Sequence, residues 1–573
     1  MDPVKSFFLK QQTKKLQALP NRYQWKQFFK SCSKKEKIIL KFFVFSIFVS
    51  LILLLGCKTT ISSKKIPQIG GTYKEGVVGE PHYINPVLAN YNPVDQDLCK
   101  LIYSSLLKYN GQGKLVNDLA DSYKIIDDGK AYQVVLKKNI YWQDGQKITA
   151  DDVIFTVKTI QNSAYRSPLY FNWQGVTIEK KNNQTIIFKL KNKYVHFLNN
   201  LTIGIIPEHI WHNISPNEFL ISQFNLQPVG SGPFKLASVN TNGSKGKILS
   251  INLIANQKYY QPIYLKKIIF YFYQDESSLV SAAKNKQIDA FSLNNFSQIK
   301  QIDTNKYKLT KIVIPYYFGA FFNQRDKILQ NKNLRLAIKY ATDKKEIVNQ
   351  VLMGHATIIN SPIPPIIDGY QPLNSSSTDI EKAKSLFLKA KKTIIIKGQK
   401  TKENQAPIEI TLTTVNQSNL LNVAKIIKSQ WEKLGLKVNI KSYPIQDIED
   451  IIKKRNFQIL LFGEALTLNP DPFSFWDSSQ ADFPGNNISG YDNSKVDKIL
   501  REARTKTDLA SRIKEYQEFR TIVAQDTPAI FLYSPDYLYW VSKKFHGINI
   551  KKCNSVSDRF SQINQWYEYT KLK

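Results

Sequence analysis

Leu119 to Ile160 reads LADSYKIIDDGKAYQVVLKKNIYWQDGQKITADDVIFTVKTI, and the fold of the chain turns on this stretch. Ser122-Tyr123-Lys124-Ile125-Ile126 is short and β-prone. Asp127-Asp128-Gly129 is a turn, because Gly tolerates positive φ and Asp bonds its own backbone. Tyr132-Gln133-Val134-Val135-Leu136 is the returning strand. Trp142-Gln143-Asp144-Gly145 makes a second turn. Thr149 stands where a helix N-cap belongs: its side-chain oxygen satisfies an orphan N–H, while Asp151 and Asp152 face the positive helix end. Val153, Phe155, Val157 and Ile160 supply the buried side of that helix. The spacing predicts strand, turn, strand, turn and capped helix, an α/β unit.

The totals set the scale around it. A chain of 573 residues suggests two to four domains on a prior of about 150 residues each. Hydrophobic content of 42% and aromatic content of 12% suffice for large cores and exclude a disordered chain. Net charge is +34, of which residues 1–41 carry +9, eleven Lys/Arg against Asp2 and Glu36. Nearly all the basic residues are Lys. The Arg forks and compact basic motifs of nucleic-acid readers are missing, so no nucleic-acid partner is expected. The Lys-rich surface reads as compositional drift or as attraction to an anionic membrane or wall polymer. Cys32, Cys57, Cys99 and Cys553 form no CxxC pair, which leaves a zinc ribbon or thioredoxin-type site unsupported. Cys99 and Cys553 are available for a disulfide outside the cell, and sequence alone cannot place them within bonding distance.

Residues 1–41 are a basic cytoplasmic head or signal n-region. Phe42–Gly56 is an uncharged apolar run, FFVFSIFVSLILLLG, that with Ile38-Ile39-Leu40 and a snorkelling Lys41 nearly spans a bilayer of about 30 Å. The Lys excess on its N-terminal side puts that side in the cytoplasm and everything after it outside. Two anchors fit: a transmembrane helix, or a signal segment whose Leu54-Leu55-Gly56-Cys57 resembles a lipobox and would leave Cys57 acylated. Residues 57–69 form the linker to the globular part in either case.

The order of motifs carries a more specific message. Leu119-Ala120-Asp121-Ser122-Tyr123, Asp127-Asp128-Gly129-Lys130-Ala131-Tyr132, Trp142-Gln143-Asp144-Gly145 and Thr149-Ala150-Asp151-Asp152-Val153 occur in one run. Together they resemble the solute-binding proteins of peptide ABC transporters, extracytoplasmic family 5. Flanking elements extend the resemblance: Tyr83-Ile84-Asn85-Pro86, Pro228-Val229-Gly230-Ser231-Gly232-Pro233-Phe234, Gln287-Ile288-Asp289-Ala290, the helix Asn333–Asp343, Asn469–Trp476, Tyr491-Asp492-Asn493 and the strand Pro528–Tyr533. It covers about residues 70–570.

The resemblance implies a two-lobed periplasmic-binding-protein-like α/β fold (type II, cluster C) with an extra α/β domain. Lobe I would hold 67–86, 225–310 and 535–573, domain II 87–224, and lobe II (domain III) 311–534. Chain crossings near 310–316 and 530–536 would form a hinge that lets the lobes close on a ligand. The family's ligand is an extended oligopeptide, held through its backbone. By alignment, Asn90, Tyr91 and Asn92 and the strand end Gly463, Glu464 and Ala465 would contact it, with Asn294, Asn295 and Tyr533 near the cleft. Trp173 and Trp476 are candidate pocket walls on aromatic character. Where peptide binders commonly carry an Asp for the ligand's α-amino group, this chain has Leu466 or Thr467, so Glu464 is the candidate counter-charge. The implied partners are an oligopeptide and ABC permease subunits, with the membrane reached through the anchor, no cofactor or metal, and a monomeric state. Sugars, opines or metal chelates are the alternative ligands. A surface-anchored hydrolase is the rival class, but no G-x-S-x-G, HExxH or Cys–His arrangement supports an enzyme. His209 and His212 lack a third ligand and read as structural.

Overall fold

The computed structural model describes residues 22–58, 65–243, 246–373, 378–394 and 407–572. Pro67–Tyr569 forms one compact unit. In the N-terminal unit, Lys34–Lys58 is a single helix of 25 residues. Its side chains from Phe42 to Phe48 are exposed and apolar on every face, apart from Ser46. The side chains from Leu53 onward, Cys57 included, lie outside the described residues. Among the described residues no helix is long and apolar enough to cross a membrane.

The opening stretch folds as strands Ala120–Ile126 and Ala131–Leu136 and helix Ala150–Gln161. Asp127, Asp128 and Gly129 all take positive φ, at 52°, 46° and 85°, so the turn is three left-handed residues long. Asp and Gly are the residues that tolerate this region most readily. Thr149 caps the helix in a full capping box: its side chain accepts from Asp151 N–H at 3.2 Å, and Asp152 accepts from the Thr149 N–H at 2.9 Å. The other Asp152 oxygen accepts from Glu208 N–H at 3.0 Å, tying the helix start to the next segment. Val153, Val157 and Ile160 are buried, whereas Phe155 is half-buried.

These strands belong to a four-stranded antiparallel sheet with Thr185–Leu190 and Val176–Asn182. A seven-stranded mixed sheet runs Tyr307–Ile312, Tyr537–Ser542, Ala290–Ser292, Gly70–Val78, Leu265–Tyr273, Lys247–Ala255, Phe234–Asn242. A six-stranded sheet runs Ala356–Ile358, Ala529–Pro535, Tyr316–Phe322, Ile459–Ala465, Glu409–Val415, Lys437–Tyr443. The sequence spacing of Ile408–Thr413, Leu420–Leu434 and Val438–Ser442 suits a β-α-β crossover, and Glu409–Val415 and Lys437–Tyr443 are indeed parallel and joined by helix Ser418–Glu432. The chain passes from the seven-stranded to the six-stranded sheet at residues 313–315 and returns at Asp536.

The Gly230-Ser231-Gly232-Pro233 turn shows why its glycines are needed. A Cβ on Gly230 would lie 1.9 Å from the Ile102 carbonyl oxygen, and one on Gly232 would lie 2.6 Å from that of Leu101. The turn is pinned there by Gln143 of the opening stretch, whose N–H donates to the Gly230 carbonyl at 2.9 Å while its Oε1 accepts from Gly230 N–H at 3.0 Å.

One helix differs from expectation. The apolar spacing suggests Asp97–Leu107, but the helix is Pro93–Ile102, capped by the Asn92 side chain with Pro at the first position. Cap and proline chemistry at its start, rather than periodicity, sets the register. Leu106 is buried beyond the helix, and Leu107 opens the strand Leu107–Tyr109. Cys99 and Cys553 are buried free thiols.

Candidate functional site

A cavity of about 1340 Å³ opens within the Pro67–Tyr569 unit. Segments 86–105 and 169–204, with Lys130, supply one part of its lining; 465–475 and 501–505 supply another; 554–558 supplies the rest. These parts touch across it. Tyr194 Oη donates to Asp471 at 3.0 Å, Asn199 Nδ2 to Thr467 Oγ1 at 3.3 Å, and Val195 N–H to the Arg504 carbonyl at 3.1 Å. Arg504 lies 3.0 Å from Asp471 and stacks over the rings of Tyr194 and Phe473 at 4.8 and 4.3 Å. A short polar turn after Pro470 and the end of helix Ser494–Ala503 thus place an acid, a base and two aromatic rings together.

The cavity is rich in cations. Lys100, Lys130, Lys191, Lys193, Arg501 and Arg504 line it, against Asp471 and Asp558. Asp558 is held by Lys100 at 2.6 Å and by Ser555, so both acids already have partners. His196 is buried in the lining, and burial pulls its imidazole down to about 4, leaving it neutral at physiological pH.

The expected contact residues separate into groups. Asn90, Trp173 and Ala465 line the cavity. Trp173 presents only an edge, being 2% exposed and packed against Phe197 at 5.8 Å and Phe188 at 6.1 Å. Tyr91 is exposed and donates to the Arg166 carbonyl at 2.7 Å, outside the lining. Asn92 is spent on capping helix Pro93–Ile102 and on a bond from its Nδ2 to the Glu80 carbonyl. Gly463 sits against the Phe318 ring, and Tyr533 stacks on that ring at 5.4 Å; neither lines the cavity. Asn295 caps the short helix Phe296–Gln301, and Asn294 is bonded through its backbone to Glu276 and Asn419, again away from the lining. Trp476 is a core residue, 1% exposed among Phe321, Tyr491 and Phe531.

Glu464 requires the largest correction. Its side chain faces the core rather than the cavity, beside Tyr317, whose hydroxyl donates to Oε2. Its other oxygen has no hydrogen-bond partner among the described residues. Burial without a cation pushes the carboxyl up to about 8, so it is neutral at pH 7, although Tyr317 and Trp476 pull the other way. Strand alternation separates the two: Ala465 and Glu464 are neighbours in sequence but point to opposite faces, and only Ala465 lines the cavity. Nothing local in the sequence marks Lys130, Lys191 and Lys193 as cavity residues. The one local clue was two arginines three residues apart, at Arg501 and Arg504, in a chain whose bases are nearly all lysine.

Comparison with known proteins places this architecture. Residues 114–528 match the family described as Bacterial extracellular solute-binding proteins, family 5 Middle. Oligopeptide-binding protein AppA of Bacillus subtilis (strain 168) is 28% identical over 501 residues, covering 84% of this chain and 90% of that protein. The structure of B. subtilis AppA in complex with a nonapeptide matches with a TM-score of 0.72 at 26% identity, over 88% of this chain and 100% of that one. NikZ from Campylobacter jejuni in complex with Ni(L-His) matches with a TM-score of 0.71 at 25% identity, over 87% and 99%. The mixed α/β fold is that of the cluster C peptide-binding proteins, and solute-binding proteins are non-enzymatic components of transport. The chain belongs to the bacterial extracellular solute-binding proteins, family 5.

Proposed function

We propose that this chain is a membrane-tethered, extracytoplasmic binding protein that captures oligopeptides by cleft closure and delivers them to an ABC permease. The carrying observation is the cavity: at about 1340 Å³ it exceeds the roughly 300–1,000 Å³ of ordinary small-molecule pockets and suits an extended chain. In support, AppA of B. subtilis is described as an oligopeptide-binding protein and its structure holds a nonapeptide. The lobes would be 67–86 with 225–310 and 535–573, then 87–224, then 311–534. The crossings at 313–315 and Asp536 would serve as the hinge. Opening would break the Tyr194–Asp471 and Asn199–Thr467 bonds. The tether is supported by the exposed side chains of Phe42–Phe48, apolar on every face of helix Lys34–Lys58 apart from Ser46, since a helical stretch apolar all round needs an apolar surrounding. Cys57 is the residue that lipidation would modify.

Mass spectrometry of what co-purifies with the full chain, with small-angle scattering before and after peptide addition, tests this. A bound peptide and a smaller radius of gyration on saturation are expected. A saturating, stabilising peptide that leaves the scattering curve unchanged overturns the hinge. A co-purified non-peptide solute overturns the ligand class.

A further inference from the structure

We infer that the cleft selects acidic peptides, and that it reads ligand carboxylates rather than the terminal ammonium. The inference rests on the peptide reading above.

Three observations carry it. First, six cationic side chains line the cavity against two carboxylates. Second, neither carboxylate is free for a ligand ammonium: Asp471 is matched by Arg504 at 3.0 Å and by Tyr194 at 3.0 Å, and Asp558 by Lys100 at 2.6 Å. Of the other acids around it, Asp477 is bonded bidentately to Arg501 at 3.0 and 3.1 Å, Asp128 lies 3.0 Å from Lys193, and Glu464 faces the core beside Tyr317. A ligand ammonium would therefore have to break an existing pair or stay uncompensated, which is costly when desolvated. Third, the cations are not all consumed. Lys130 and Lys191 form no ion pair among the described residues, and the Asp128 partner of Lys193 is itself 90% exposed, so that pair is weak. Clefts lined by one sign of charge concentrate solutes of the other. A peptide carrying Glu or Asp side chains meets Lys130 and Lys191 without displacing anything, and meets Lys193 by displacing only the exposed Asp128.

The test is calorimetry on the full chain in detergent at low salt. Three pentapeptides of equal length are used, with two Glu, two Gln or two Lys, each with a free and an acetylated N-terminus. The Glu peptide should bind about tenfold tighter than the Gln peptide and tighter still than the Lys peptide, with the preference shrinking at high salt. Acetylation should change affinity less than about twofold, since no carboxylate awaits the ammonium. The double variant Lys130→Glu/Lys191→Glu alters exposed side chains, so its melting temperature should be unchanged while the Glu-over-Gln preference disappears. Equal affinity for Glu and Gln peptides, or loss of binding on acetylation, overturns the inference while leaving peptide binding intact. If none of the three peptides binds, the peptide reading fails. The charge preference is then judged by whether citrate, but not spermidine, raises the melting temperature; no shift with citrate overturns it too.

Discussion

Arg559 and Asp97 lie 462 residues apart in the chain and meet as a buried bidentate pair, Nη1 to Oδ1 at 2.7 Å and Nη2 to Oδ2 at 2.5 Å. Nη2 also reaches Glu75 at 3.0 Å, and Tyr539 donates to the other Glu75 oxygen at 2.7 Å. The pair thus joins the central strand Gly70–Val78 of the seven-stranded sheet, helix Pro93–Ile102, the returning strand Tyr537–Ser542 and the C-terminal turn Val556–Phe560. Arg suits this place because its planar fork stays charged when buried and matches carboxylate geometry.

Replacing Arg559 by Met should therefore destabilise the protein by about 3–5 kcal/mol, because Glu75 and Asp97 would be left buried without a counter-charge. Urea unfolding followed by fluorescence checks it. A midpoint equal to wild type would show that the three groups do not act as one network.

Glu464 predicts a pH dependence. Its carboxyl sits at about 8 in the folded protein, above the ordinary 4.5 of an unfolded chain. A raised carboxyl favours folding fully below the unfolded value, and this contribution is lost as pH rises through the folded one. The stability difference between Glu464→Gln and wild type should thus be small near pH 4.5 and grow in favour of the variant by a few kcal/mol toward pH 8. Thermal melts of both proteins across this range decide it. A pH-independent difference would place the carboxylate in a hydrated or paired environment.

Gly230→Ala should destabilise by about 1–3 kcal/mol through overpacking. The new methyl meets the Ile102 carbonyl oxygen at 1.9 Å, and the turn cannot retreat without breaking its bonds with Gln143. The readout is the urea midpoint of the variant, expected to fall; a retained midpoint means the turn and helix end separate freely.

Tyr194→Phe removes a hydroxyl that bridges the cavity to Asp471. A hydrogen bond to a charged acceptor contributes about 1.5–3 kcal/mol, so the ligand-free variant should sample more open shapes. Small-angle scattering should report a larger radius of gyration without ligand and the wild-type value with it. Identical curves for both ligand-free proteins would assign that bond no part in closure.

Local chemistry was readable in the chain wherever it acts over a few residues. The Asp127-Asp128-Gly129 turn, the Thr149 cap with Asp152, and the Glu409–Tyr443 crossover all follow from residue type and spacing. Sequence is ambiguous where one side chain suits two roles. Asn92 suits a ligand contact and a helix cap alike, and the structure uses it as the cap; Trp476 suits a pocket wall and a core position alike, and the structure buries it.

Residue types and their order are enough for the α/β character, for the family through its run of motifs, and for the absence of a nucleic-acid or catalytic motif. Which face of strand Ile459–Ala465 meets the cavity depends on the packing of distant segments, and with it that Ala465 lines the cavity while Glu464 is buried and neutral. The same packing gathers Lys130, Lys191 and Lys193 in one cavity with Arg501 and Arg504, residues more than 300 positions apart. The physical reason is range: caps, turns and periodicity are set by neighbours along the chain, whereas the charge balance of a cavity and the protonation of a buried carboxyl are set by groups that only folding brings together.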